Sequence, residues 1–512
     1  MRAGSISLPR FTEYPASLLV ALLFGAVCVC SFAPLNFHFV SWFALAGLFC
    51  LWFYATTRKR AAWLGFAFGL GLFGAGVSWI YIALNVYGGM PAPLAALSTF
   101  LYCALLASFY ALVGWLQARW RFSATSRLLV VMPALIALSD WSRIWVLTGF
   151  PWLALGYSQV PTSPLSGYAP LLGVFGVTWL LATAAGAMTL MIHFRKQYRA
   201  VMFCFGLLVA IVFAGGLARQ VQWSQPIGEP IKVSLLQGNV PQEMKFNQQR
   251  LITTLKTYLD LTEKSTARLI VMPETAIPLM QEQIPPDYLE RLASHGKKNN
   301  GDVLVGLFGN KRSGNKLEYF SSVVSFGASP SQSYSKVHLV PFGEFIPFKS
   351  VIGWVYDNWL HIPLVDTSRG APDQKPLNVA GQRVAVNICY EDVFGEEIIR
   401  QLPEATMLVN VTNDAWYGES WASQQHNQMS QMRAIETARS VLRATNTGFT
   451  SIIGANGNVV SSLPQFSVGS LDGEVQGMSG ATPYVRFGNY PILIICTSLL
   501  LAAVYLGKRK AA

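Results

Sequence analysis

Hydrophobic stretches of about 20 residues, each long enough to cross a hydrocarbon core of ~30 Å, recur through the first 218 residues and once more near the end of the sequence. They fall near residues 14–30, 37–55, 62–83, 94–117, 127–147, 169–193, 200–218 and 490–507. Backbone polar groups in lipid must bond within their own segment, so runs of this kind are helices, and the pattern predicts eight transmembrane spans. The fifth is the least regular because it carries Asp140 and Arg143. For the first, two readings stay open, a retained anchor or a cleaved signal sequence, since Arg2 and Arg10 precede an apolar run that ends in small residues. The composition agrees with a membrane protein: 12% of residues are charged, against roughly 25% in soluble domains.

The loops give the orientation, because Lys and Arg accumulate on the cytoplasmic side. One side holds Arg2, Arg10, Arg58, Lys59, Arg60, Arg119, Arg121, Arg127, Arg195, Lys196, Arg199, Lys508, Arg509 and Lys510, whereas the short loops opposite hold only Arg143. Both termini are therefore expected in the cytoplasm and the long polar segment outside. Only Glu13 and Asp140 of the 26 acidic residues lie beyond that segment, which is close to neutral. The net charge of +12 thus belongs to the membrane loops, and a nucleic-acid partner is set aside.

The reading divides the chain into a membrane domain at 1–218, an extracytoplasmic domain at 219–489, and a last helix with a basic tail at 490–512. The outer domain reads as α/β. Short apolar runs at 231–236, 269–272, 303–307, 321–325, 384–389, 407–411 and 450–453 predict strands, and helical patterns run near 247–265, 287–298, 394–401 and 424–441. Residues 341–380 mix Pro, Gly and aromatics without periodicity and read as a long functional loop.

Six of the cysteines, Cys28, Cys30, Cys50, Cys103, Cys204 and Cys496, lie in strongly apolar stretches, where a thiol behaves as a small hydrophobe. Cys389 alone lies in the polar domain, where a thiol without a partner is a candidate reactive group. Two further strand ends carry reactive side chains: Glu274 follows the run 269–272, and Lys336 lies in the run 333–340. A thiol with an ordinary pKa of about 8.5 needs a base or a cation to act, and Glu274 can take its proton. Lys336 and a backbone N–H can stabilise the oxyanion formed when a thiolate attacks an acyl carbonyl. Taken singly, such a Glu is usually a solvated strand end, such a Lys an edge charge and such a Cys part of the core.

The motifs taken together change that. "VMPET" with Glu274, "SKVHLVPFGE" with Lys336 and Glu344, and "VNICYED" with Cys389, Tyr390 and Glu391 resemble the nitrilase (carbon–nitrogen hydrolase) superfamily. With eight spans around one such domain, and with "LLQGNVPQ", "LTGFPWLALGYSQ", "TNDAWYG" and "RATNTG", the chain resembles the apolipoprotein N-acyltransferase family from Leu22 to about Gly488. The resemblance implies an α-β-β-α sandwich for the outer domain and a bacterial inner-membrane location with that domain on the periplasmic side. It also implies a ping-pong reaction: Cys389 takes an acyl chain from a phospholipid and passes it to the α-amine of the diacylglyceryl cysteine that begins an apolipoprotein. No cofactor and no metal are implied, the histidines showing no ligand spacing, and a monomer is expected.

Other roles follow by the same resemblance. Glu344 orients Lys336 and shares in proton transfer, Tyr390 and Glu391 shape the pocket or serve the fold, and Asn413 orders the site. Phe246, Trp152, Arg143 and Trp416 are candidate substrate contacts. Phe246 stands where family members often carry tryptophan. Asp140 and Arg143 share one helical face, where a lipid head-group contact and a mutual ion pair are both open. Two other function classes remain: a membrane-anchored amidase, for which one span would suffice, and a transporter with an accessory domain, which would need ionisable or broken-helix features in several spans.

Overall fold

The computed structural model describes residues 15–120, 122–245, 247–313, 316–346 and 367–509. Phe246 and residues 347–366 of the segment 341–380 lie outside them. The chain forms two compact units, one of residues 1–80, 93–221 and 487–512, the other of residues 81–92 and 222–486.

The first unit is helical. Ala92–Gln117, Ala124–Ser142, Pro164–His193, Tyr198–Ala218 and Tyr490–Arg509 are each long and apolar enough to cross a membrane, and Arg58–Gly76 counts as a sixth when taken with its continuation Ile80–Tyr87. Pro15–Ser31 and Phe39–Phe53 are apolar but shorter; the latter's 15 residues rise only ~22 Å at 1.5 Å per residue. The expectation of eight spans therefore meets five or six helices of full length among the described residues.

Small residues bring these helices together, as they must where lipid removes the hydrophobic drive to associate. A Cβ on Gly25 would lie 1.9 Å from the Phe68 carbonyl oxygen, and one on Gly71 would lie 2.0 Å from that of Leu22. Backbone thus meets backbone between Pro15–Cys28 and Arg58–Gly76. Gly65 against the Tyr110 carbonyl, and Gly114 against that of Ala61, do the same for Arg58–Gly76 and Ala92–Gln117.

The second unit contains two six-stranded sheets. We number its main strands β1 (Ile231–Gln237), β2 (Leu269–Val271), β3 (Asp302–Ser313), β4 (Lys316–Gly327), β5 (Ser333–Ser335), β6 (Leu377–Val379), β7 (Gln382–Ile388), β8 (Met407–Thr412), β9 (Val441–Thr445), β10 (Ser451–Ile453), β11 (Val459–Ser462) and β12 (Gly469–Val475). One sheet has the order β12-β1-β2-β3-β4-β5 and the other β11-β10-β9-β8-β7-β6. The centres, β1-β2-β3 and β7-β8-β9, are parallel.

Central parallel strands are covered on both faces and so read as continuous apolar runs. Alternation along each strand sorts the side chains. Val233, Leu235, Leu269 and Val271 meet Val384, Val386, Ile388, Val409 and Val411 between the sheets. Leu236, Ile270, Met272 and Val303 face outward, where Tyr258, Leu259, Tyr288 and Leu292 of the helices Gln248–Lys264 and Pro286–Lys298 cover them. On the other sheet Ala385, Leu408 and Val441 pack with Ile398 and with Ala434 of the helix Ala422–Thr437. Helices on one side, two sheets and helices on the other make the layers α-β-β-α.

Three local expectations need adjusting. The helix expected at 424–441 ends at Thr437, because Ala438 takes a left-handed φ of 51° that stops it, and Val441 then begins β9. Strands β6, β9, β11 and β12 carried no strand expectation, β6 lying at the end of the segment read as a loop. Residues Tyr81–Ala92, placed by the sequence reading inside the membrane domain, group with the second unit: the Tyr87 ring meets Trp416 edge-on at 6.1 Å, and Ile82 lies beside Gly418.

Candidate active site

Strand ends deliver the three reactive side chains. β2 leads through Met272 and Pro273 to Glu274, and the next residue, Thr275, has a φ of 48°. Gly306 on β3 makes room for this turn, since a Cβ there would come within 2.2 Å of the Pro273 oxygen. Lys336 follows β5 directly, its N–H bonded to the Ser321 carbonyl at 2.9 Å. Cys389 follows β7 at Ile388, with a φ of 54°. Left-handed backbone at a non-glycine residue costs on the order of 1–3 kcal/mol, and here it turns the chain sharply at the thiol.

The side chains converge. Lys336 is buried, and its Nζ donates to Glu274 Oε1 at 3.1 Å and to Glu344 Oε1 at 2.8 Å. Glu344 is itself held, its Oε2 accepting the Val340 N–H at 2.8 Å. Burial alone would lower the lysine, but Glu274 and Glu344 outweigh it and hold the ammonium well above the ordinary lysine range. Cys389 is half-buried. Burial, and then the Glu274 carboxylate, push its thiol up to about 12, with Lys336 and a hydrogen bond from Thr412 opposing. The resting site therefore holds a thiol beside a base and a permanent cation. Such a thiol is held in its protonated form.

Glu391 locks two of these strand ends together. Its carboxylate accepts the backbone N–H groups of Ile388 at 2.6 Å, Val337 at 2.6 Å and His338 at 3.1 Å, and the Tyr334 hydroxyl at 3.1 Å. Burial raises it to about 7 against those bonds. Tyr390 packs edge-on against Phe394 at 5.2 Å.

Residues 24–188 match the family described as "Apolipoprotein N-acyltransferase N-terminal domain", and residues 232–484 match "Carbon-nitrogen hydrolase". The apolipoprotein N-acyltransferase of Nitrosomonas europaea is 49% identical over 496 residues, covering 96% of this chain and 98% of that one. That of Methylococcus capsulatus is 44% identical, covering 94% and 95%, and that of Chromobacterium violaceum 41% identical, covering 96% and 94%. The chain belongs to the apolipoprotein N-acyltransferase family. Membership carries the activity, N-acylation in lipoprotein maturation.

In this N-acyltransferase Asn413 is buried and joins two loops, donating to Gln242 Oε1 at 2.7 Å and accepting from Asn446 at 3.0 Å. Trp416 is half-buried against Tyr87. Phe246 lies outside the described residues. Arg143 and Trp152 belong to the helical unit, where each is 1% exposed. Arg143 pairs with Asp140 at 2.8 Å and donates to the carbonyls of Phe150 and Trp152. Asp140 also accepts from the Leu155 N–H and the Thr178 hydroxyl. Of the two roles left open for this pair, the geometry is that of an internal ion pair pinning the segment 150–155.

Sequence reasoning missed two features. One is a buried charge cluster reaching the Cys389 loop: Arg443 bonds Asp414 at 2.8 Å and Asn410 at 2.6 Å, His426 bonds Asp414 at 3.0 Å, and Asn410 donates to the Cys389 carbonyl at 3.3 Å. The other is Lys245, buried in the turn after β1. Only its position between Met244 and Phe246 hinted that its stem is enclosed. No group of three or more His, Cys, Asp or Glu among the described residues is arranged for a metal ion.

Proposed function

We propose that Cys389, Glu274 and Lys336 carry a two-step acyl transfer from a phospholipid to an apolipoprotein. Glu274 takes the thiol proton as sulfur attacks the ester carbonyl of the phospholipid. The oxyanion is met by Lys336 and a backbone N–H, an interaction whose loss costs about 3–4 kcal/mol. The carbon–oxygen bond then breaks, the lysophospholipid leaves with the proton from Glu274, and the acyl chain stays on Cys389 as a thioester. In the second step the α-amine of the diacylglyceryl cysteine attacks the thioester, Glu274 receives the amine proton, and sulfur departs and regains it. A thioester has little resonance stabilisation and an amide has much, so this step runs downhill. Glu344 orients Lys336 throughout.

The observation that carries this reading is the position of Lys336, bonded to two carboxylates at once and acting on the Cys389 thiol. The loop charges support eight spans, cytoplasmic termini and a periplasmic catalytic unit in the bacterial inner membrane. Intact mass of the purified protein incubated with a diacyl phospholipid tests the chemistry. The expected result is one added acyl chain, removed by hydroxylamine and absent in Cys389→Ala; an adduct that persists in that variant overturns it. For the topology, a membrane-impermeant probe is expected to label a cysteine placed at exposed Lys297 in intact spheroplasts, and labelling only after lysis reverses the orientation.

A further inference from the structure

Lys245 is 6% exposed, and its Nζ donates to the backbone carbonyl of Glu274 at 3.2 Å. A buried ammonium bonded to a neutral acceptor is costly unless charges nearby compensate it. The compensating groups here are those of the active site: Glu274 and Cys389 favour the charged lysine, and Lys336 opposes it. No part of the two-step reaction above uses this residue.

A count of charge shows what it contributes. Glu274 and Glu344 both bond Lys336; burial raises Glu344 and the Lys336 ammonium opposes this, and with both carboxylates ionised the three groups together carry one excess negative charge. Moving the thiol proton to Glu274 leaves that excess unchanged, and the attack places it on the oxyanion. In a buried site such an excess favours protonating a carboxylate, which would deprive the thiol of its base. A second ammonium brings the total to zero in both states.

We propose that Lys245 is a positioning residue of this site, its ammonium fixing the Glu274 turn through the carbonyl and supplying the second positive charge that balances the Glu274 and Glu344 carboxylates. Because burial lowers Lys245 to about 8 against Glu274 and Cys389, that charge is present at pH 7 and lost as pH rises through about 8. The inference rests on Cys389 and Glu274 acting as described above.

The test is the rate of acyl-adduct formation, read by intact mass between pH 6 and 10, for full-length wild type, Lys245→Met and Lys245→Arg in micelles of a diacyl phospholipid. Wild type is expected to slow as pH rises through about 8. Lys245→Met is expected to be slower by about tenfold or more at pH 7 and to converge with wild type above about pH 9. Lys245→Arg, whose charge persists, is expected to stay fast there. A purely structural role would slow Lys245→Met by one factor at every pH, and that result overturns the proposal, as does a wild-type rate that is flat from pH 7 to 9. Should Lys245→Met not fold, the wild-type limb and its absence in Lys245→Arg decide the matter. An adduct in Cys389→Ala would instead sink the underlying mechanism, while shifted or unshifted profiles on Cys389 speak to Lys245 alone.

Discussion

Glu391 accepts the backbone N–H of Val337 at 2.6 Å, and by also accepting that of Ile388 it ties the chain next to Lys336 to the chain next to Cys389. Glu391→Gln keeps the volume but leaves one acceptor oxygen for donors that now share two. Each buried N–H left without a partner costs about 1–3 kcal/mol, so thermal unfolding in detergent is expected at a lower temperature, with slower acylation. The pH dependence follows from linkage. Folding raises Glu391 to about 7, so the folded state binds more protons than the unfolded one between the ordinary glutamate range and pH 7, and stability falls as pH rises through that window. Glu391→Gln is expected to lack this slope; the same slope in the variant would assign it to another group.

Cys389 is expected to react as a protonated thiol at rest. With its pKa pushed up to about 12, its alkylation by iodoacetamide should climb about tenfold per pH unit from 7 to 10, where an ordinary thiol would level off. Glu274 raises the thiol, so Glu274→Gln is expected to speed alkylation while slowing acyl transfer by 10²–10⁴-fold or so. Peptide mass spectrometry assigns the alkylated cysteine. An acyl-transfer rate unchanged in Glu274→Gln would show that the carboxylate is not the base.

How far the sequence disclosed this depends on what each residue's neighbours are. The central strands were legible because double-sided burial leaves an unbroken apolar run, as in Met407–Thr412. The edge strands Val459–Ser462 and Gly469–Val475 were not, since their alternating exposure looks like a polar loop. Glu274 and Cys389 were legible because each follows such a run, and Lys336, beyond the polar edge strand Ser333–Ser335, through the motif it shares with Glu344. Lys245 was hidden, its acceptor being a backbone carbonyl 29 residues away, which leaves no mark on residue type. Arg443 was hidden for a related reason: a buried guanidinium is indistinguishable in sequence from a solvated one until its carboxylates are placed.

Those carboxylates make a prediction. Burial alone would raise Asp414, but His426 and Arg443 outweigh it and hold its carboxyl well below the usual range. A depressed folded value contributes stability that is present above the ordinary aspartate pKa and lost as pH falls below it. Asp414→Asn removes that contribution and leaves Arg443 buried with less compensation, which typically costs about 3–5 kcal/mol. The Asn410 link to the Cys389 carbonyl should loosen with it. Unfolding temperature and acylation rate are expected to drop together, and an unchanged unfolding temperature would show that the cluster does not hold the nucleophile's loop.

The buried pair Asp140 and Arg143 allows two explanations of any loss of activity to be separated. If the guanidinium serves as the internal partner that its 2.8 Å contact indicates, Arg143→Met strands a buried carboxylate and lowers stability by about 3–5 kcal/mol. The double variant Asp140→Leu with Arg143→Met removes both charges and is expected to lose less than the sum of the single losses, because residues in contact do not act additively. The carbonyls of Phe150 and Trp152 and the Leu155 N–H still lose their partners, so the double variant should remain below wild type. A guanidinium that instead met phospholipid head-groups would raise KM for the donor without moving the unfolding temperature, and Asp140→Leu would not offset that change. Unfolding curves and donor saturation curves measured on the same four proteins distinguish the two.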